Sequence, residues 1–247
     1  MHPLRLVILL SISVLSLSGC FGSSSGSSSG GSTSEEEIVS IEGIWSGSAT
    51  EEGETYDVAG IFYEGQFFGF SDESGVVWDG AYSINNNAFQ IPQLFAFDVS
   101  LEVLLNVSSV SGTIDGTSLS ATFSSDAGTT GSIQASYDQS LYERETGLSD
   151  ISSVWEYTSG QGVYSSVAID DNGELSGADT GGCLFLGHVS VPDTTRNVFV
   201  IDLEVTSCNE FDGDYDGLAY LDSDEGGTTL LRFAAQNDFA TFWAVFE

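Results

Sequence analysis

Phe199-Val200-Ile201-Asp202-Leu203-Glu204-Val205 alternates apolar and polar side chains at every step but Val200, and Phe97-Asp98-Val99-Ser100-Leu101-Glu102-Val103 alternates without a break. A period of two sends one set of side chains into a core and the other into water, so both stretches read as half-buried β-strands. Working outward from them, residues 38–247 break into short apolar runs separated by Gly, Asn, Asp and Ser, with almost no helical period and three prolines in the whole chain. Asp171-Asn172-Gly173, set between Val167-Ala168-Ile169 and Glu174-Leu175, predicts a hairpin with a type I′ turn, because Asn and Gly tolerate positive φ. The fold class expected is all-β.

The two alternating strands also suggest an internal repeat. Trp45 opens one half and Trp155 the other; Phe97–Val103 falls on Phe199–Val205, Ser118–Phe123 on Gly217–Leu221, and Thr129-Thr130 on Thr228-Thr229. This reading divides the folded part into two units, 38–146 and 147–247, joined through Leu141–Asp150. Each unit has enough short strands for a small antiparallel β-barrel, which removes sheet edges that would otherwise pair with other chains. A pair of β-sandwiches is the alternative. The bulky inward set Phe97, Val99, Leu101 and Val103 points to filled interiors over a roomy cavity.

Upstream, Arg5 precedes the apolar run Leu6–Leu15, which is too short to span a bilayer and reads as an export signal over residues 1–19. Leu17-Ser18-Gly19-Cys20 resembles the lipobox of bacterial lipoproteins. The resemblance implies that Cys20 is acylated, that the preceding peptide is removed, and that the chain is held at a membrane by its N-terminal lipid. Phe21, where inner-membrane lipoproteins carry Asp, implies sorting to the outer membrane, facing the periplasm or the cell surface. Residues 20–37, rich in Gly and Ser and closing on Glu35-Glu36-Glu37, read as a flexible tether about 23 Å long. Gly22-Ser23-Ser24-Ser25-Gly26 matches a hydrolase motif by letter only, since that motif needs a strand before it and a helix after it.

Loss of the signal removes Arg5 and no acid. The 37 carboxylates then face only Arg144, Arg196 and Arg232, a net charge of −34, and the chain has no lysine. Such a charge excludes nucleic acid as a partner and leaves the lipid to supply the membrane affinity. It suits a saline setting, a basic protein partner or a divalent cation.

With Cys20 acylated, Cys183 and Cys208 remain as a pair, which in an oxidising compartment reads as a disulfide contributing roughly 3–4 kcal/mol. Asp212-Gly213-Asp214-Tyr215-Asp216-Gly217 matches the first half of a calcium loop, with Asp212, Asp214 and Asp216 as candidate ligands; Ser223 stands where the bidentate glutamate belongs. An acidic turn leading into a strand is the competing reading. His188, the one histidine after processing, sits in a strand pattern with no nucleophile motif beside it.

These features predict a non-enzymatic, membrane-anchored envelope lipoprotein with a binding or structural role, directed toward a basic protein. In architecture and charge it resembles the membrane-bound lysozyme inhibitors, which are small disulfide-bearing β-barrel lipoproteins. A carrier of a small ligand or lipid inside a barrel is the alternative.

Overall fold

The structure is a computed structural model that describes residues 40–98, 103–159, 162–224, 226–237 and 240–247. The export signal, Cys20 and the tether fall outside the described residues. One sheet is built from β1 (Gly43–Glu51), β2 (Glu54–Tyr63), β3 (Gln66–Ser71), β4 (Val76–Ala81), β5 (Ser83–Asn85), β6 (Ala88–Asp98), β7 (Val103–Asp115), β8 (Ser118–Ser125) and β9 (Thr130–Tyr137). Two single helical turns follow, α1 (Gln139–Tyr142) and α2 (Leu148–Ile151). A second sheet comprises β10 (Val154–Thr158), β11 (Tyr164–Ile169), β12 (Glu174–Asp179), β13 (Leu184–Ser190), β14 (Phe199–Thr206), β15 (Gly213–Ser223), β16 (Thr229–Gln236) and β17 (Thr241–Phe246).

Every pairing is antiparallel between neighbours. The first sheet runs β4-β3-β2-β1-β9-β8-β7-β6-β5, and β4 pairs back onto β6, so eight strands close on themselves and β5 hangs from β6. The second runs β10 to β17 in chain order. Its two edges meet where Glu156 and Glu247 exchange backbone hydrogen bonds of 3.1 and 3.0 Å. The two barrels read from the strand pattern are therefore present, one closed and one nearly closed. In each, the first strand carries a buried tryptophan whose Nε1 donates to the carbonyl four residues earlier, Trp45 to Ile41 at 2.9 Å and Trp155 to Ile151 at 2.8 Å. Both isoleucines are buried.

Three sequence readings change. Phe199, Ile201, Leu203 and Val205 are buried on β14 as expected, but Phe97–Val103 is not one strand. β6 ends at Asp98 and β7 begins at Val103, with Asp98 opposite Val103 and Phe97 opposite Leu104; residues 99–102 lie outside the described residues. Alternation can continue in phase through a hairpin, so the pattern could not mark the turn. The repeat register shifts as a result: Phe89 and Ile91 on β6, not Phe97, occupy the places of Phe199 and Ile201, and Leu119 on β8 matches Leu231 on β16. The segments 118–123 and 217–221, and the threonine pairs, belong to strands that are not equivalent. The expected hairpin between β11 and β12 is present, but only Gly173 has positive φ, at 85°. Asp170 replaces the type I′ geometry with a side-chain cap, accepting from the amides of Asn172 and Glu174 at 2.8 and 2.9 Å.

The outer face of β14 explains why Val200 broke the alternation. This residue points outward into a third core, shared by the barrels. Ile44, Ile61, Tyr63, Phe68, Phe70 and Val77 of the first barrel pack there with Tyr142 and with Val198, Leu218, Tyr220 and Ala234 of the second. The strands that meet are apolar on both faces, as Ile61-Phe62-Tyr63 and Leu218-Ala219-Tyr220-Leu221 show, because each barrel wall is buried on both sides. Residues 38–247 accordingly form one compact unit.

Polar groups fix the packing of this seam. Arg232, 7% exposed, reaches from β16 to Asp72 through two hydrogen bonds of 3.2 and 2.9 Å, donates to Asp222 at 2.7 Å, and lies 3.8 Å from the centroid of the Phe70 ring. Asn197 is fully buried; its amide donates to the carbonyls of Leu141 and Leu221 at 3.0 and 2.7 Å and accepts from Leu221 N at 2.9 Å. Arg144 donates to the Leu221 carbonyl at 3.3 Å, and Arg196 lies 3.7 Å from Glu143. Asp79 of β4, buried against β17, accepts a hydrogen bond from Thr241, and burial pushes its carboxyl up to about 6.

Two predictions follow from the seam. Removing the guanidinium in Arg232→Met leaves Asp222 and Asp72 without their cation and is expected to cost roughly 2–4 kcal/mol, read from urea unfolding, whereas Asp72→Asn, at the exposed end of the pair, costs less than about 1 kcal/mol. Because the folded state holds the Asp79 proton more tightly than the unfolded chain does, this group's contribution is fully present below about pH 4 and is lost as pH rises through 6. Asp79→Asn, which keeps the neutral shape, should match the native protein at pH 4 and exceed it by up to about 3 kcal/mol at pH 7.5.

Candidate functional site

The barrels share a topology and differ in what fills them. In the second, Tyr215, Phe242, Phe185 and Phe211 meet edge to face at one end, with Tyr215 and Phe242 centroids 4.9 Å apart. The Tyr215 hydroxyl donates to the Phe211 carbonyl at 2.8 Å. The Cys183–Cys208 disulfide joins the β12–β13 and β14–β15 connections at this same end, and Cys208 is buried in the core. That end of the second barrel is sealed.

Register shows what stands at the equivalent positions in the first barrel. Leu203 pairs with Tyr215 where Leu94 pairs with Ser108, and Ala235 pairs with Phe242 where Phe123 pairs with Gly131. By the same matching, Ala121 replaces Phe233 and Ala135 replaces Phe246. Four rings are thus exchanged for Ser, Gly, Ala and Ala. Phe62 and Phe67 on the facing wall, and Phe123 in the place of Ala235 and lying over Gly131, recover part of the volume, with Phe62 and Phe67 centroids 4.5 Å apart. An apolar hollow of about 100 Å³ remains, lined by Trp45, Phe62, Ile91, Leu94, Val110 and Leu119 among others.

The hollow opens at the end that is sealed in the second barrel. Its rim is formed by Glu51, Tyr56, Trp78 and Phe123, all half-buried. The Tyr56 and Trp78 rings are nearly parallel, 13° between planes and 6.2 Å between centroids. Burial, and secondarily the charge of Glu51, raises the Tyr56 phenol above its ordinary range, so it stays neutral. Glu51 pairs with Glu54 across a two-residue turn, Glu52-Gly53, in which both residues have positive φ, 51° and 93°. The turn carries three carboxylates beside the opening.

The residues singled out in the sequence lie elsewhere. Cys183 and Cys208 are bonded as expected, while Cys20 is outside the described residues. Asp212 is taken up by the backbone, accepting from Cys208 N at 2.6 Å. Asp214 and Asp216 are exposed on β15 opposite Glu204 and Asp202 of β14. Among the described residues no three His, Cys, Asp or Glu side chains gather in a metal-binding arrangement. A strand separates Asp214 and Asp216 by a full pleat, whereas a calcium loop would curl them around one point. His188, half exposed on β13, lies 3.6 Å from Glu174. The hollow was missed because Ser108 and Gly131 are ordinary strand residues until set against Tyr215 and Phe242, which requires the correct register.

Comparisons with protein-family models, with curated proteins and with solved structures give no match.

Acids facing one another across β14 and β15 repel, and salt screens the repulsion. The melting temperature is therefore expected to rise with ionic strength. Calcium and magnesium at equal millimolar concentration should raise it equally; a larger shift with calcium would restore a specific site at Asp212, Asp214 and Asp216.

Proposed function

We propose that this chain is a non-enzymatic, lipid-anchored binding protein of the bacterial envelope whose first barrel takes up a small apolar ligand. The observation supporting this reading is the contrast between two barrels of one topology, one sealed by four rings and a disulfide, the other open onto an apolar hollow. The hollow is smaller than drug-sized pockets, and two-thirds the volume of an engineered apolar cavity that admits benzene, so its occupant is a single ring or the end of an alkyl chain. Acylation at Cys20 would hold the barrels at the membrane surface, and the tether would let them float clear of the headgroups. The facing acids of β14 and β15 favour a second reading, recognition of a basic protein, whose mark is binding that fades steeply with added salt.

Ser108→Val and Ser108→Phe fill the hollow in two steps toward the composition of the second barrel. Titration of the purified protein with benzene, indole and short alkanols, followed by calorimetry, should give saturable binding that weakens in the first variant and vanishes in the second, with both variants melting at least as high as the native protein. Absence of binding by any of these compounds, together with the stabilisation, would mark the hollow as a packing gap and end the carrier reading.

A further inference from the structure

We infer that the open barrel selects cations: its ligand carries an ammonium group at the rim and an apolar body in the hollow. This rests on the carrier reading above and adds the chemistry of the head group. Glu51 is the one charged side chain among those lining the hollow, and it sits where the lining changes from apolar wall to open rim. Beside it, the electron-rich rings of Tyr56 and Trp78 line the opening with their planes nearly parallel, and Tyr56 stays neutral in this setting. A carboxylate next to ring faces suits a cation that must shed part of its water, because the rings attract it without competing for hydrogen bonds.

The rim has no cation of its own to neutralise Glu51. After processing the chain has three basic side chains besides His188, and each is placed at the seam: Arg144 on Leu221, Arg196 beside Glu143 and Arg232 on Asp72 and Asp222. The Glu51-Glu52-Gly53-Glu54 turn holds three carboxylates with Glu52 in the left-handed region, a conformation that a non-glycine residue adopts at a cost. An incoming ammonium would relieve the repulsion among them, and an incoming carboxylate would add to it.

Four compounds with one apolar body separate the two readings: benzyl alcohol, benzylamine, benzyltrimethylammonium and phenylacetate. For the full chain at pH 7 and low salt, the two cations are expected to bind about tenfold more tightly than benzyl alcohol, and phenylacetate is expected not to bind. Glu51→Gln should reduce the preference for cations over benzyl alcohol to less than about twofold, and Trp78→Leu should weaken benzyltrimethylammonium more than benzyl alcohol. Equal binding of cations and alcohol by the native protein would overturn this inference and leave the carrier reading standing. Failure of all four to bind would overturn both.

Discussion

The fold depends on a constraint of charge. A chain with 37 carboxylates against four arginines and no lysine cannot hold itself together by surface ion pairs. The three arginines among the described residues lie at the seam between the barrels, where Arg232 is almost wholly withdrawn from water and is met by two carboxylates and a phenyl face. A buried cation with this many partners is a specific lock, since its loss leaves acids facing one another, and any other docking of the two barrels would take Asp72 and the Phe70 ring away from it, leaving only Asp222 of its own barrel. Elsewhere the acids stand on turns and on outward strand positions, where water and salt can screen them.

The seam also accounts for where period-two reasoning succeeded and failed. β14 reads as it does because one of its faces is core and the other mostly solvent, and its single exception, Val200, is the residue that reaches the shared core. β2, β3, β15 and β16 are apolar on both faces, and runs such as Phe67-Phe68-Gly69-Phe70 and Leu230-Leu231-Arg232-Phe233 carry that signal openly. An arginine inside such a run is the mark of a buried ion pair. Strand count and barrel closure were legible because turn residues punctuate the chain; the pairing of the halves was not, because a hairpin crossing between Asp98 and Val103 preserves the alternation and β5 inserts an extra strand.

The candidate site was illegible for a different reason. Titratable clusters and metal spacings are visible in a sequence, and here they led to Asp212, Asp214 and Asp216, of which the first is taken up by the backbone and the other two are spread apart along β15. A hollow has no letter of its own. It is the difference between Ser108 and Tyr215, or Gly131 and Phe242, and each of these residues is unremarkable alone. Only the hydrogen-bond register of two whole barrels places them opposite one another.

The asymmetry has an energetic consequence. An apolar hollow of about 100 Å³ forgoes roughly 2–3 kcal/mol of packing relative to a filled core, a substantial part of the stability of a small domain. The first barrel also lacks a disulfide, since the one bonded pair lies in the second. What the hollow barrel gives up within, it recovers from outside: the wall formed by β1, β2, β3 and β4 is covered by the second barrel, and the β3–β4 turn is held by Arg232 through Asp72. The sealed barrel thus acts as scaffold for the open one. Covering one wall leaves the rim, which is built from the β1–β2 turn, β4 and the far strands, outside the contacts on which the open barrel relies.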